Sequence, residues 1–133
     1  MPQPIVYYQT NLGVLYWGDA LQVLKSLPDE SVDLVITDPP YNSNTVEWDK
    51  KDDEWQFQWL EEVKRVMKEG ASLYLFFAPL NMYGVEGWIR KNLTLKNKIV
   101  VNITPFVPKP NTPFQYFQFE DISILQKKIE LIK

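Results

Sequence analysis

The sequence predicts an α/β domain, in which short apolar strands alternate with amphipathic helices. A strand, a helix and a second strand follow one another within residues 13–37, and the alternation continues along the chain. The predicted strands are rich in β-branched and aromatic residues, whereas the predicted helices repeat apolar residues every three or four positions. The 133 residues match the size of one domain, so we assign residues 1–133 to a single unit.

The first predicted strand and helix meet at a glycine and an aspartate. GVLYW, residues 13–17, predicts a short apolar strand that stops at Gly18. Asp19 is placed to cap a helix through ALQVLKSL, residues 20–27, because its carboxylate can accept a hydrogen bond from a free backbone N–H. VDLVIT, residues 32–37, then predicts a buried strand.

A second helix is predicted after a polar loop. Asp53 and Gln56 resemble a capping box, in which the two side chains bond free backbone groups at the start of a helix. We expect this helix to extend to about Lys68 and to end at Glu69 and Gly70. Its apolar face consists of Trp59, Leu60, Val63, Val66 and Met67.

Three more strands and one more helix complete the predicted order. SLYLFFA, residues 72–78, predicts a buried strand, and a helix follows over about residues 82–91. KIVVNITPF, residues 98–106, predicts another strand, and YFQFEDISILQKK, residues 116–128, predicts the last one.

The composition excludes several kinds of chemistry. The chain has neither cysteine nor histidine, so it has no thiolate nucleophile and no imidazole base, and we predict no metal site. Its net charge of −3 gives no global basic field that would attract nucleic acid. No apolar stretch approaches the roughly 20 residues of a membrane span. The N-terminus lacks the features of a secretory signal, so a cytoplasmic location is expected.

One predicted strand ends in the sequence DPPYN, residues 38–42. In open α/β sheets, ligands bind at the carboxyl ends of strands, which is where Asp38 lies. Pro39 and Pro40 stiffen the turn and have no backbone N–H, so we expect their carbonyls to remain free acceptors. Tyr41 offers a flat ring beside these acceptors.

Such a cluster suits an exocyclic amino group on a flat heterocycle. The nitrogen lone pair of that group is delocalised into the ring, which makes it a poor nucleophile. Two acceptors that hold its two hydrogens favour a tetrahedral nitrogen, whose lone pair then points out of the ring plane toward an electrophile. This chemistry needs neither histidine nor cysteine.

The motif and its context resemble a known family. DPPY, residues 38–41, resembles the catalytic motif of the amino-group DNA methyltransferases, which methylate adenine N6 or cytosine N4 with S-adenosyl-L-methionine. Residues 15–42 resemble the start of the subgroup whose catalytic motif lies near the N-terminus. Residues 61–77 and 102–128 resemble segments that follow in that subgroup. The resemblance implies a partial Rossmann-like sheet with flanking helices.

The resemblance also implies a role for individual residues. The catalytic residues would be Asp38, Pro39, Pro40 and Tyr41. Among them, the Asp38 carboxylate and the Pro39 carbonyl would hold the target amine. The cofactor would be approached by Asp19, Asp38 and Pro39. The target base and DNA would be contacted by Tyr41, Asn42, Trp48 and Lys109. Structural roles stay open for Asp19 as a helix cap, for Trp48 as a loop anchor and for Lys109 as a loop residue.

The glycine-rich loop that binds the cofactor in this family is missing. The chain has five glycines, and no two have the spacing Gly-x-Gly. In the family sheet, the strands that carry this loop lie between strands 13–17 and 32–37, so strand 32–37 is expected to show a bare edge. We therefore expect a second polypeptide that supplies the loop and target recognition, or self-association through that edge. A truncated or decayed chain would look the same.

Two functions are consistent with these patterns. The first is methyl transfer to adenine N6 in DNA, with cytosine N4 as the rival target; an aspartate at position 38 favours adenine. Methylation at cytosine C5 is excluded because it needs a cysteine nucleophile. The second function is that of an inactive remnant or regulatory subunit that pairs with a complete methyltransferase.

Overall fold

The fold was determined from a computed structural model that describes residues 3–40, 47, 51, 53–77, 83–102 and 119–128. Helices and strands alternate along this part of the chain, which confirms the predicted α/β class. The elements in chain order are β1 (Ile5–Gln9), β2 (Val14–Trp17), α1 (Ala20–Ser26), β3 (Val32–Thr37), α2 (Asp53–Val66), β4 (Met67–Phe77), α3 (Tyr83–Asn92), β5 (Leu93–Asn102) and β6 (Phe119–Lys127).

Four strands form the main sheet in the order β3-β4-β6-β5. Strands β3 and β4 are parallel, and β6 is antiparallel to both β4 and β5. The last strand of the sequence is therefore inserted, in reversed direction, between two strands that run the same way. Within the described residues, β3 pairs only with β4 and forms one edge of the sheet, as the sequence predicted.

Strands β1 and β2 form a separate antiparallel hairpin. Its turn is closed by Thr10, whose backbone N–H donates to the Gly13 carbonyl at 2.9 Å and whose hydroxyl accepts from the Gly13 N–H at 3.1 Å. Gly18 follows β2 where the chain passes Pro4: a Cβ atom at position 18 would lie 2.6 Å from the Pro4 Cα. Strand β1 was not predicted, because no alternation of apolar and polar residues marks it.

The core lies between one face of the sheet and the helices. The predicted apolar face of α2 is buried, and Leu73 and Leu75 of β4 are fully buried beneath it. Burial of these side chains from water is the main stabilising contribution in this part of the molecule. The core cluster contains Leu21, Trp59, Leu60, Val63, Met67, Ala71, Leu73, Leu75, Val85, Ile89, Leu93 and Leu125.

Two boundaries differ from the prediction around helix α2. The helix ends at Val66 and β4 begins directly at Met67, so the predicted end at Glu69 and Gly70 was wrong. Gly70 instead lies in β4 with a φ of 74°, a conformation that favours glycine. Pairing of Met67 with Val32 of β3 extends the strand into residues whose local sequence favours the end of a helix.

The capping box was also wrong. Asp53 is already the first residue of α2, and the Gln56 side chain bonds elsewhere, as described below. The strand predicted over 98–106 begins earlier, at Leu93, because pairing with β6 extends it to the end of α3. Residues 103–106 lie outside the described part of the chain.

Candidate functional site

A cavity of about 550 Å³ lies beside the carboxyl end of β3. Its walls come from β2, α1, β3 and α2 and from the residues that follow β3, and most of them are apolar. The lining residues are Tyr16, Gly18, Ala20, Leu21, Val23, Leu24, Val35, Ile36, Thr37, Asp38, Pro39, Pro40, Trp55, Trp59 and Val63.

Asp38 lies at the mouth of this cavity. The residue is exposed and follows directly on Thr37, the last residue of β3. Pro39 is buried and Pro40 is half-buried, so the turn itself packs against the domain. No hydrogen bond or ion pair joins the Asp38 carboxylate to another described residue. The carboxylate is therefore available to a ligand at the cavity.

The Pro40 carbonyl is not a free acceptor. It accepts a hydrogen bond of 2.9 Å from Nε2 of Gln56 in helix α2. The expectation that both proline carbonyls remain available is therefore wrong for Pro40. Gln56 is in turn bonded to Trp59, whose indole Nε1 donates to the Gln56 Oε1 at 2.9 Å.

Asp19 caps helix α1, as predicted. Its Oδ1 accepts from the Gln22 N–H at 3.0 Å, and Gln22 is the third helical residue. Gly18 and Ala20 line the cavity, whereas Asp19 is not among the lining residues. The capping role is therefore shown in the geometry, and the cofactor role remains a prediction.

Several predicted site residues lie outside the described part of the chain. These residues are Tyr41, Asn42, Trp48 and Lys109. Their roles at the target base and DNA remain predictions.

Arg65 joins helices α1 and α2, which both contribute residues to the wall of the cavity. Its guanidinium donates to the carbonyls of Leu24 and Leu27, at 2.8 and 3.0 Å, and so bonds the C-terminal turn of α1 to α2. It also pairs with Asp29 and Glu62. Hydrogen bonds to Asp29 and then to Glu62 raise the pKa of Arg65, which strengthens its preference for the charged form.

Sequence reasoning missed the contribution of helix α2 to the site. The sequence placed Trp59 only on the apolar face of this helix, yet Trp55 and Trp59 both line the cavity. The available signal was Gln56, an amide at helical spacing from Trp59, Leu60 and Val63 on an otherwise apolar face. A buried amide needs partners, and here one of them is the motif itself.

The described residues contain no cluster of three or more histidine, cysteine, aspartate or glutamate side chains arranged to hold a metal ion. None of the described helices is long and apolar enough to span a membrane.

A strand that ends in Asp-Pro-Pro beside a cavity, in an open α/β sheet, is the arrangement expected of an amino-group methyltransferase. The chain belongs to the DNA methylase family of N6- and N4-methyltransferases, whose profile matches residues 32–130. The match begins at the first residue of β3 and includes the motif.

Curated relatives support the same family. The chain is 33% identical over 118 residues to the type II methyltransferase M.BamHI of Bacillus amyloliquefaciens, a match of 79% of this chain and 27% of the relative. It is 40% identical over 90 residues to the DNA adenine methyltransferase YhdJ of Escherichia coli K12, covering 62% of this chain and 31% of the relative. The chain thus spans about a third of these relatives.

Solved structures share the fold. A DNA modification methylase of Thermus thermophilus, solved with S-adenosyl-L-methionine, matches 87% of this chain with a TM-score of 0.63 and 26% identity. The cytosine-N4-specific PvuII DNA methyltransferase matches 84% with a TM-score of 0.67 and 18% identity. The matches cover 54% and 48% of those two chains, and the shared fold is Rossmann-like.

Proposed function

We propose that this chain is the catalytic part of a DNA methyltransferase that transfers a methyl group from S-adenosyl-L-methionine to adenine N6. The observation that carries the proposal is the Asp38 carboxylate at the end of β3. It has no partner among the described residues, and it opens onto an apolar cavity between β3 and helices α1 and α2. Apolar walls with one convergent polar group are typical of a small-molecule site.

The chain's own residues act by holding and polarising the amine. The Asp38 carboxylate and the Pro39 carbonyl accept the two N6 hydrogens of an adenine that has left the duplex. Bound S-adenosyl-L-methionine would supply an electrophilic methyl carbon and would leave as the thioether. The Asp38 carboxylate would stabilise the positive charge that develops on N6 as the nitrogen is methylated. The nitrogen then loses one proton to solvent.

Adenine is favoured over cytosine on two grounds. Position 38 is an aspartate, and the resemblance favours adenine because N4-cytosine members of the family more often carry serine there. The 40% identical relative is named as an adenine methyltransferase, although the N4-specific PvuII enzyme shares the fold. Analysis of the methylated nucleosides separates the two products directly.

The cavity fits part of the cofactor, and a second polypeptide is proposed to complete the site. The apolar lining suits a flat adenosine group, but the five glycines of the chain form no Gly-x-Gly loop for the methionine part. A second copy of this chain would bring the same sequence and no such loop. A segment outside these 133 residues that carries the loop would meet the requirement, and we propose a second polypeptide as its source.

The surface for this partner is an exposed edge. Leu34 and Ile36 are 49% and 65% exposed, and they belong to β3, which is an edge strand among the described residues. An open edge presents unpaired backbone groups to an added strand. Tyr7 and Trp17 of the adjoining hairpin are 70% and 71% exposed, which extends the apolar surface.

The test is reconstitution with the polypeptide encoded next to this chain. We expect calorimetry to show no tight binding of S-adenosyl-L-methionine to the chain alone, and we expect labelled methyl groups to enter DNA when both polypeptides are present. Asp38→Ala should abolish the transfer. The matched control is Asp33→Ala on the same strand, which removes only an exposed ion pair with Lys68.

Three results would count against parts of the proposal. Tight cofactor binding by the chain alone would remove the need for a partner. Full activity of Asp38→Ala would overturn the assigned chemistry. A partner that is already active alone, and is unaffected by Asp38→Ala in this chain, would favour the regulatory-subunit alternative, which the missing glycine loop supports.

A further inference from the structure

The Gln56 side chain connects helix α2 to the turn that follows β3. It is only 6% exposed, and it sits on the buried face of α2 with Trp59 and Leu60. An amide in such a place has lost its hydrogen bonds to water, which destabilises the fold unless other groups replace them. Here the nitrogen bonds to Pro40 and the oxygen bonds to Trp59.

The chemistry of the two neighbours fixes the orientation of this amide. The Trp59 indole can only donate, so it requires the Gln56 oxygen at its end. The Pro40 carbonyl can only accept, so it requires the Gln56 nitrogen at the other end. A flipped amide would place donor against donor and acceptor against acceptor. Trp59 therefore determines which atom of Gln56 faces the catalytic turn.

We propose that Gln56, oriented by Trp59, is a positioning residue that fixes the Asp38–Pro40 turn and occupies the Pro40 carbonyl. The inference rests on the proposed function. The target amine has two hydrogens, and Asp38 and the Pro39 carbonyl offer two acceptors. A free Pro40 carbonyl beside them would offer a competing and unproductive hydrogen bond. With Gln56 bonded to it, the Pro40 carbonyl competes less well for the amine, which favours the productive orientation and so raises the rate.

The decisive variant is Gln56→Glu, which keeps the shape of the side chain. One carboxylate oxygen still accepts from Trp59, but the other faces the Pro40 carbonyl oxygen without a hydrogen between them. Because a misplaced group costs up to about 100-fold in rate, we expect single-turnover methylation to fall by about 10- to 100-fold at pH 8, with a much smaller change in KM.

The pH profile distinguishes loss of the hydrogen bond to Pro40 from loss of side-chain packing as the cause of a lower rate. Burial raises the pKa of the introduced carboxyl, and its neutral form can again donate a hydrogen to Pro40. Below that pKa the neutral form predominates, so the rate of Gln56→Glu relative to the unmodified chain should recover as the pH falls. Gln56→Met, which keeps the length but cannot donate, should lose rate without this recovery.

The matched control is Gln58→Glu on the same helix. Gln58 is exposed, and its amide nitrogen bonds only to the nearby Glu54 at 3.2 Å among the described contacts. The same chemical change there should leave the single-turnover rate and its pH profile unchanged.

A second readout uses the chain alone and does not depend on catalysis. In Gln56→Glu at pH 8, the 13C resonance of the Pro40 carbonyl should shift as its hydrogen bond is lost, and it should return at lower pH. A resonance that stays in place, or a methylation profile that matches the unmodified chain, overturns the proposal. If no assembly methylates DNA, the proposed function fails, and the Pro40 resonance alone decides whether Gln56 holds the turn.

Discussion

Two regions of the molecule differ in how far their apolar residues are buried: the helix-covered face of the sheet, and the β3 edge with the β1–β2 hairpin. Toward the helices, Leu73, Leu75 and Leu125 are fully buried in a continuous core. Toward the β3 edge and the β1–β2 hairpin, Trp17 and Ile36 are more than half exposed. Both regions carry apolar residues, but the described residues bury only the apolar side chains of the first region.

This difference separates a region that buries its own apolar residues from a region that, among the described residues, does not. In the helix-covered region, the apolar side chains are buried by other residues of the same chain, as in an independent domain. The hairpin and the edge adjoin one another, since Tyr16 and Ile36 line the same cavity. Exposed apolar surface of this kind marks an interaction site. Four substitutions test the contrast, from the largest expected loss of stability to the smallest.

The largest effect is expected in the core. Leu73→Ala leaves a cavity among fully buried side chains and should lower the free energy of unfolding by about 2–5 kcal/mol. Urea denaturation followed by circular dichroism measures it. A loss below about 0.5 kcal/mol, within the usual range of surface substitutions, would mean that this region is not a packed core.

The bond between α1 and α2 comes next. Arg65→Met removes the donors to the Leu24 and Leu27 carbonyls and should lower the urea midpoint, though by less than Leu73→Ala. The pKa of Arg65 is raised in the folded chain. Its contribution to stability is therefore fully present below the unfolded pKa and is lost only as the pH rises through the folded pKa. A measurement at pH 7 thus tests the charged form. Arg90→Met, which removes an exposed pair with Glu86, should leave the midpoint unchanged.

Asp19 should show a smaller effect that separates its two predicted roles. Asp19→Ala removes the cap of α1 and should cost about 1 kcal/mol of stability. Asp19→Asn keeps an effective cap and removes the charge, so stability should be retained. If Asp19 also contacts the cofactor, Asp19→Asn weakens cofactor binding by the reconstituted enzyme; equal affinity would leave capping as its role.

The smallest effect on stability is expected at the edge. Leu34→Lys should change the free energy of unfolding of the isolated chain by no more than about 0.5 kcal/mol, because Leu34 is already exposed. It should nevertheless abolish binding of the partner polypeptide, which calorimetry measures. Leu95→Lys is the matched control, since Leu95 is 43% exposed on β5, the opposite edge strand. Equal losses of partner binding in both variants would show that β3 is not the docking edge.

Local patterns in the sequence determined the helices, most of the strands, the Asp19 cap and the position of Asp38 at a strand end, because periodicity and capping depend on residues a few positions apart. The tertiary structure alone decided the insertion of β6 between β4 and β5, the pairing of β1 with β2, and the bond from Gln56 to Pro40 across 16 positions. The β6 pairings and the Gln56 bond join residues that are distant along the chain, and the β1–β2 hairpin lacks a clear local strand pattern in β1. Which of them form depends on the packing of the whole sheet, and no local pattern encodes it.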